Sequence, residues 1–140
     1  MTPQLRIGIL GAARIAPAAL INPAKKNGEV IVAAVAARDT SRAQAFASRH
    51  GIPKVHAGYD DLVGDPDLGA IYNPLPNGLH GRWTRAALAA GKHVLCEKPI
   101  AMSLAEAKQM LAAAQAAKVV HMTAFTYRFV PGMRYITHLI

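Results

Sequence analysis

Short, mostly apolar runs recur along the chain, and polar or small residues separate them. Runs of this length, rich in valine and isoleucine and without an alternating polar face, are typical of strands that helices cover on both sides. The pattern predicts strands over Leu5 to Leu10, Val30 to Ala36, Lys54 to Ala57, Ala70 to Asn73, His93 to Cys96 and Val119 to Ala124.

The segments between these strands have helical spacing and helix start and stop residues. Asp39 or Thr40 can cap one helix, and Gly51 stands where a left-handed C-terminal cap is wanted. Ser103 and Glu106 have the spacing of a capping box, in which the two residues satisfy each other's backbone donors. The predicted helices are Arg14 to Ile21, which Pro23 ends, Ser41 to His50, Tyr59 to Val63, His80 to Ala90, Leu104 to Ala117, and one from about Pro131 to Ile140.

Strands that alternate with helices predict one α/β domain, and 140 residues is the size of one domain. Parallel strands need crossover connections of helix size, and the connections here have that size. We therefore expect a doubly wound, mainly parallel sheet of Rossmann type with strand order 3-2-1-4-5-6.

Composition and charge indicate which partners, cellular location and metals to expect for this domain. The net charge is +8, but its lysines and arginines are scattered, so a phosphorylated cofactor or the loss of an acidic partner segment accounts for the charge better than nucleic acid does. A single cysteine, Cys96, fits a reducing cytosol. Neither a signal peptide nor a membrane-length apolar stretch is recognisable, so we expect a cytoplasmic protein with no membrane partner. The six histidines lack metal-ligand spacing, and no metal is predicted.

Four loops follow the carboxyl ends of predicted strands, where open parallel sheets bind ligands. They are Gly11 to Arg14, Ala37 to Thr40, the proline-rich loop Pro74 to His80, and Glu97 to Pro99. Each contains residue types that a nucleotide cofactor would use. Together they predict a dinucleotide site at one edge of the sheet, with the pyrophosphate against the strand–turn–helix at Gly11.

The first loop matches the Gly-x-Gly-x-x-Gly fingerprint only in part. Gly11 takes the first glycine position, Ala13 the second and Ala16 the third. A methyl at the second position stands where backbone should approach the pyrophosphate, whereas alanine at the third still allows helix–sheet packing. This loop alone fits both a cofactor turn and an ordinary strand-to-helix connection.

The second loop indicates which cofactor binds. An acidic residue at the end of the second strand would bind the ribose 2′-hydroxyl and select NAD. Ala37 takes that position, and the next residue, Arg38, can pair with a 2′-phosphate or lie flat on adenine. We therefore expect NADP. NAD is the alternative if Asp39 turns inward, and a solvated loop charge is the alternative for Arg38.

The fourth loop contains the candidate catalytic group. Lys98 follows a buried strand and precedes Pro99, which restricts it to extended geometry. A lysine there can donate hydrogen bonds to a hydroxyl or carbonyl oxygen and stabilise negative charge on it during hydride transfer. Spacing alone supports a surface lysine equally well. Cys96 has no histidine base beside it and is expected to be a buried strand residue.

Three segments resemble the Gfo/Idh/MocA oxidoreductases. They are His93 to Pro99, in which Glu97-Lys98-Pro99 looks like the EKP motif of that family, Tyr72 to His80, and Phe125 to Pro131. The opening segment, Gly8 to Ala16, is similar to a subgroup that includes xylose and dihydrodiol dehydrogenases and tolerates alanine at the second glycine position. The resemblance covers nearly the whole chain in the right order.

The resemblance implies a role for each matched position. Lys98 would be the catalytic lysine that orients and polarises the reacting oxygen, Glu97 would contact the nicotinamide side, and the Lys98–Pro99 peptide would be cis. Cofactor contacts would come from Gly11, Ala13, Arg14, Ile15, Ala37, Arg38, Pro74, Leu75, Asn77 and His80, with the last four along the nicotinamide half and Arg38 at the adenosine phosphate. Tyr127 and Arg128 would lie at the passage to a second domain.

That second domain is the main departure from the family. Family members are much longer, and their second α/β domain supplies the substrate pocket, usually a histidine acid/base, and the dimer surface. We expect residues 1–125 to form the cofactor domain and residues 126–140 to begin the connection to the missing one. His80 and His121 are candidates for the base by residue type only.

Two functions are consistent with these features. In the first, the chain is the N-terminal half of an NADP-dependent oxidoreductase that transfers hydride between nicotinamide and a sugar or cyclic diol, and the intact parent forms a homo-oligomer. In the second, the 140-residue chain binds a dinucleotide without catalysis, as a module or sensor.

Overall fold

A computed structural model describes residues 4–140 as a sheet with helices on both faces. Residues 1–3, which belong to the predicted cofactor domain, lie outside the described residues. The strands are β1 (Leu5–Leu10), β2 (Val30–Ala36), β3 (Lys54–His56), β4 (Ala70–Asn73), β5 (His93–Cys96) and β6 (His121–Thr123). The helices are α1 (Asn22–Ala24), α2 (Thr40–His50), α3 (Tyr59–Gly64), α4 (His80–Ala89), α5 (Leu104–Ala117) and α6 (Pro131–Leu139). A π-helical turn, Pro17–Ile21, leads into α1, and 3₁₀ turns span Asn77–Leu79 and Thr126–Phe129.

All six strands pair in parallel in one sheet, in the order β3-β2-β1-β4-β5-β6. This confirms the predicted fold class and strand order. The chain starts at the centre with β1, winds outward to β3, and returns to β4 on the other side of β1. The winding therefore reverses between β1 and β4, and doubly wound sheets bind ligands outside the carboxyl ends of the strands at such a point.

The apolar strands bury side chains on both faces. One core lies between the sheet and α3, α4 and α5, and includes Leu62, Ile71 and Trp83. The other lies beneath the π-helical turn and α2, and includes Ile9 and Tyr72. Two covered faces explain why the strands appear in the sequence as continuous apolar runs rather than alternating ones.

The first helical segment differs from its prediction. It begins at Pro17 rather than Arg14, and it continues past Ile21 through Pro23 to Ala24. The reason is the π-helical turn, in which the Asn22 N–H donates to the Pro17 carbonyl. Widening the turn by one residue brings Pro23 into the first turn of a new α-helical segment, where a missing N–H costs little.

The strands β1, β2, β4 and β5 and the helix α5 have the predicted bounds, and, apart from the first helical segment, the remaining predicted elements differ from theirs by one or two residues. Asp39 is the N-cap of α2, and Gly51 ends that helix in the left-handed conformation, as expected. Ser103 caps α5 by accepting from the Glu106 N–H. The expected capping box is altered, because the Glu106 carboxylate accepts from the Met102 N–H rather than from that of Ser103. The edge strands β3 and β6 are shorter than predicted, since each pairs on one side only.

Candidate functional site

A cleft of about 480 Å³ opens at the carboxyl edge of the sheet, where the winding reverses. Loops after β1, β2 and β4 form its walls, so three of the four predicted loops meet there. Its lining residues are Gly11, Ala12, Ala13, Ala37, Arg38, Asp39, Arg42, Tyr59, Pro74, Leu75, Pro76 and Leu79.

The turn after β1 requires glycine at its first position. Gly11 has a φ of +87°, in the left-handed region that favours glycine, and its N–H donates to the Ala36 carbonyl at 2.6 Å. A Cβ on Gly11 would lie 3.1 Å from Leu75 Cδ2. The turn therefore holds the ends of β1 and β2 together while it lies close to the proline-rich loop. The alanines that replace the other two fingerprint glycines do not close the cleft.

Two arginines and one carboxylate form one wall of this cleft. Arg38 lies in the loop after β2, and Arg42 lies in the first turn of α2. Asp39 stands between them, but its Oδ1 accepts from the Ser41 N–H at 2.9 Å, the Ser41 hydroxyl at 2.6 Å and the Arg42 N–H at 3.3 Å. Hydrogen bonds from the Ser41 hydroxyl and the Arg42 N–H hold the pKa of Asp39 below its ordinary value. The carboxylate thus serves as the cap of α2, and the arginines carry the positive charge.

The sequence pattern alone did not identify Arg42. Its position in the first turn of a helix that starts at the carboxyl edge could have identified it, because such a residue lies close to the loop that contains Arg38. Tyr59, which begins α3, was missed for a similar reason, and its ring packs edge-on against Trp83 with the ring centres 5.0 Å apart.

Buried polar side chains hold the proline-rich loop. Asn73 donates to the His80 carbonyl at 3.2 Å and to the Thr84 hydroxyl at 3.1 Å, and it accepts from the Leu75 N–H at 3.3 Å. The His80 ring lies 2.6 Å from the Leu75 carbonyl through Nε2, and 2.7 Å from the Pro99 carbonyl through Nδ1. His80 is fully buried. The expectation that it lines the nicotinamide half is corrected for its side chain, which lies beneath the loops and links them.

The turn after β5 contains Glu97, Lys98 and Pro99. The Lys98–Pro99 peptide is cis, as the resemblance implied. The Tyr72 hydroxyl donates to Glu97 Oε1 at 2.8 Å, and the Lys98 N–H donates to Glu97 Oε2 at 3.3 Å. Lys98 is exposed. Its partly exposed neighbour Glu97 lines a separate hollow of about 190 Å³ on the face of the sheet that contains Tyr72.

The structure brings together only some of the predicted site residues. Gly11, Ala13, Ala37, Arg38, Pro74 and Leu75 line the cleft. The side chains of Arg14, Ile15, Asn77 and Lys98 are exposed outside that lining. Tyr127 and Arg128 belong to another hollow, of about 490 Å³, between the last 3₁₀ turn and α6.

Other candidate groups are not part of the cleft. Cys96 is fully buried, and burial raises the pKa of its thiol to about 11. His121 Nε2 is buried and has no hydrogen-bond partner among the described residues 4–140, and burial lowers the pKa of that ring. Among residues 4–140, no three metal-binding side chains converge, and no helix is long and apolar enough to cross a membrane.

A sheet of this order, with its cleft where the winding reverses, defines a nucleotide-binding domain of Rossmann type. Comparison with known proteins makes the assignment more specific. The model of the Gfo/Idh/MocA oxidoreductases, described as an oxidoreductase family with an NAD-binding Rossmann fold, matches residues 5–125. The chain belongs to this family.

Relatives with named activities share this domain. D-xylose 1-dehydrogenase (NADP(+)) 2 of Haloferax volcanii is 46% identical over 127 residues, which are 91% of this chain and 39% of that protein. Trans-1,2-dihydrobenzene-1,2-diol dehydrogenase of Xenopus laevis is 42% identical over 109 residues, which are 78% of this chain and 33% of that protein. The chain therefore spans about two fifths or less of the length of these relatives.

Solved structures agree with the fold. KijD10, a 3-ketoreductase from Actinomadura kijaniata crystallised with NADP and TDP-benzene, superimposes with a TM-score of 0.91 at 33% identity, over 98% of this chain and 42% of that one. A probable dehydrogenase from Thermotoga maritima gives a TM-score of 0.89 at 27% identity, over 96% of this chain and 40% of that one. The chain is thus an NAD(P)-binding domain of the kind found in oxidoreductases that act on sugars and diols.

Proposed function

We propose that this chain is the cofactor-binding part of an NADP-dependent oxidoreductase that transfers hydride between nicotinamide and a sugar or cyclic diol. The observation that carries the proposal is the pair of arginines, Arg38 and Arg42, in one wall of the cleft. Arginine pairs with phosphate through charge-assisted and often bidentate hydrogen bonds, so two arginines that line one cleft suit a ribose 2′-phosphate. An acidic residue that would favour a free 2′-hydroxyl is absent from the end of β2, where Ala37 stands.

Asp39 supports the same preference. The alternative of NAD required this carboxylate to turn inward toward a ribose. Its Oδ1 instead accepts three hydrogen bonds at the start of α2. The Haloferax relative is named for NADP(+), and KijD10 was crystallised with NADP, which agrees with this assignment.

Lys98 has the position of the group that acts on the substrate. The bound nicotinamide would supply or accept the hydride. The exposed Lys98 ammonium, at the end of β5, would donate a hydrogen bond to the reacting oxygen and stabilise the negative charge that develops on it. Glu97 would face the nicotinamide side, with its carboxylate held by the Tyr72 hydroxyl. Gly11, Ala13, Arg14 and Ile15 would follow the pyrophosphate, and Pro74, Leu75 and Asn77 would follow the nicotinamide half.

Sugars and cyclic diols are proposed as substrates because the relatives bear those names. We further propose that residues 1–125 form the cofactor domain and that residues 126–140 begin a connection to a substrate domain. The helix α6 supports this division, since it buries none of its residues and exposes Tyr135, Ile136 and Leu139. A parent with such a domain would form a homo-oligomer and work in the cytoplasm.

Dinucleotide binding without turnover is the second candidate function. It is favoured by one observation: none of the histidines, all of which lie within residues 4–140, lines the cleft. Hydride transfer to a carbonyl also needs a proton donor, and the described cleft offers no imidazole for that purpose.

One experiment separates the two functions. NADPH is titrated into the protein while its fluorescence is followed, and NADP is then supplied with a panel of aldoses and trans-diols. Saturable binding with turnover supports the oxidoreductase, and binding without turnover supports the module. If no binding occurs up to millimolar NADPH, both are wrong. Where turnover is seen, Lys98→Ala should abolish it, whereas Lys108→Ala, an exposed lysine on α5, should not.

A further inference from the structure

The turn that contains Lys98 has few contacts of its own. Lys98 and Pro99 are exposed, and the Lys98 ammonium forms no hydrogen bond or ion pair within residues 4–140. A lysine that must donate to one reacting oxygen needs a fixed backbone, because small displacements cost a large part of the rate. The contacts that fix this backbone come from beneath the turn.

Tyr72 holds the turn from one face of the sheet. The residue is 1% exposed, and its hydroxyl donates to Glu97 Oε1 at 2.8 Å. Burial, together with the hydrogen bond and the charge of Glu97, raises the pKa of Tyr72 far above its ordinary value. A raised pKa favours the protonated phenol, which is the form that donates to Glu97. Glu97 Oε2 accepts from the Lys98 N–H, which extends this contact to the lysine.

His80 holds the turn from the other face. Its Nδ1 lies 2.7 Å from the Pro99 carbonyl oxygen, and its Nε2 lies 2.6 Å from the Leu75 carbonyl oxygen. Both oxygens are acceptors, so the ring donates to both only with a hydrogen on each nitrogen. Leu75 is also a wall of the cleft. The fully buried ring thus connects the turn after Lys98 to the loop that would hold the cofactor.

We propose that Tyr72 and His80 are the positioning residues for Lys98, and that they clamp the Glu97–Pro99 turn from opposite faces of the sheet. Tyr72 holds the residue before Lys98, and His80 holds the residue after it. Through Leu75, His80 also keeps the turn in register with the cleft. The predicted effect on NADP(H) binding rests on the proposed function, but the contacts by which Tyr72 and His80 hold the turn do not.

The first test needs no ligand. Hydrogen exchange is measured by mass spectrometry on the protein, on Tyr72→Phe and on His80→Gln. The peptide that carries residues 97–103 should exchange faster in each variant, by about tenfold for Tyr72→Phe, which is the size of one hydrogen bond to a charged group. Tyr135→Phe, which removes the hydroxyl of an exposed tyrosine on α6, should leave that peptide unchanged.

The second test separates positioning from general stability. The affinities for NADPH and for adenosine 2′,5′-bisphosphate, the adenosine half of NADPH, are measured by calorimetry. Tyr72→Phe should lower the affinity for NADPH by at least about threefold, because the nicotinamide half reaches the turn. It should change the affinity for the bisphosphate by less than about twofold, because the adenosine half does not reach the turn. A variant that merely loosens the fold would lower the affinity for both ligands and would also speed hydrogen exchange in β1 and β2.

These outcomes decide the proposal. Unchanged exchange in residues 97–103 of Tyr72→Phe overturns it, as does exchange that rises equally throughout the sheet. If the unsubstituted protein binds neither ligand, the proposed function fails, and the exchange measurement still judges the clamp. Should His80→Gln fail to fold, Tyr72→Phe decides alone, since it removes a single oxygen atom.

Discussion

Arg38 and Arg42 are four residues apart and line the cleft from a loop and from a helix. Arg38 is the second residue after β2, and Arg42 lies in the first turn of α2. Asp39 lies between them and is engaged by the start of α2. At the scale of single residues, this division of roles decides the predicted cofactor preference, because it leaves two guanidinium groups to meet a phosphate.

Replacing Arg42 with alanine tests whether its guanidinium group meets the 2′-phosphate of the cofactor. The affinity of Arg42→Ala for NADPH should fall about tenfold or more, which corresponds to the loss of a charged hydrogen bond of about 1.5–3 kcal/mol. Its affinity for NADH, which lacks the 2′-phosphate, should change less than about twofold. Arg49→Ala, an exposed arginine in the last turn of the same helix, is the matched control. Equal losses for both cofactors would contradict the assignment of Arg42.

Asp65 makes the stability of the protein depend on pH. It accepts from Lys54 Nζ at 2.8 Å, His56 Nε2 at 2.9 Å and the Asp67 N–H at 2.9 Å, and its side chain is 2% exposed. The hydrogen bond from Lys54 has the largest effect on the pKa of this carboxyl. Together with the hydrogen bonds from Asp67 and His56, it holds that pKa well below its usual range, although burial raises it. A lowered folded-state pKa means that the stabilisation is present above the unfolded-state pKa of about 3.9 and is lost as pH falls below it.

Asp65→Asn should therefore lower the free energy of unfolding by about 1–3 kcal/mol at pH 7. The difference in the free energy of unfolding between this variant and the unsubstituted protein should shrink as the pH falls from about 5 to about 2. Over that range the carboxylate of Asp65 becomes protonated and its charge no longer stabilises the fold. Urea denaturation at a series of pH values measures this. Asp60→Asn, which changes an exposed carboxylate on α3, controls for net charge. A difference that stays constant across the series would show that Asp65 does not act through its charge.

Single residues also show which features of the site could be predicted from the sequence and which could not. Gly11 and Arg38 were identified because each lies within two residues of the end of a strand, and a parallel sheet brings such positions to one edge. His80 was expected in the cleft, but its ring points inward to two carbonyls. A motif gives the position of a residue along the chain, whereas the direction of its side chain depends on the packing of α4 against the loops.

At the scale of elements, the helix that follows the glycine turn illustrates the same limit. Two prolines, Pro17 and Pro23, bracket a segment that is apolar on one side. The predicted end at Ile21 assumed a regular helix, in which Pro23 would remove a bond. A π-helical turn avoids that loss, and no hydrophobic period in the sequence indicates a turn widened by one residue.

Helix α5 gives a test of element stability. Ser103 Oγ accepts from the Glu106 N–H at 3.1 Å and caps the helix. Ser103→Ala should lower the free energy of unfolding by about 1 kcal/mol, the usual effect of removing such a cap. Ser48→Ala, at an exposed position inside α2, should change it by less than about 0.5 kcal/mol. Urea denaturation compares the two variants, and equal effects would argue against a capping role for Ser103.

At the scale of the whole molecule, the fold was predictable because its elements obey general rules. Six apolar runs separated by helix-sized segments admit few topologies once crossovers must be right-handed. The cleft followed from the strand order, since ligands bind where the winding reverses. What the sequence could not provide was the relation between loops, such as the bridge that His80 makes from Leu75 to Pro99. That relation depends on three-dimensional packing between residues far apart in the chain.

The central claim is that the cleft binds NADP(H) through its two arginines. It is tested most directly by calorimetric titration of the same protein sample with NADPH and with NADH at one ionic strength. We predict saturable NADPH binding that is at least about tenfold tighter than NADH binding, the difference expected from charged hydrogen bonds to one phosphate. Equal affinities, tighter binding of NADH, or no binding of NADPH up to millimolar concentration would contradict the claim.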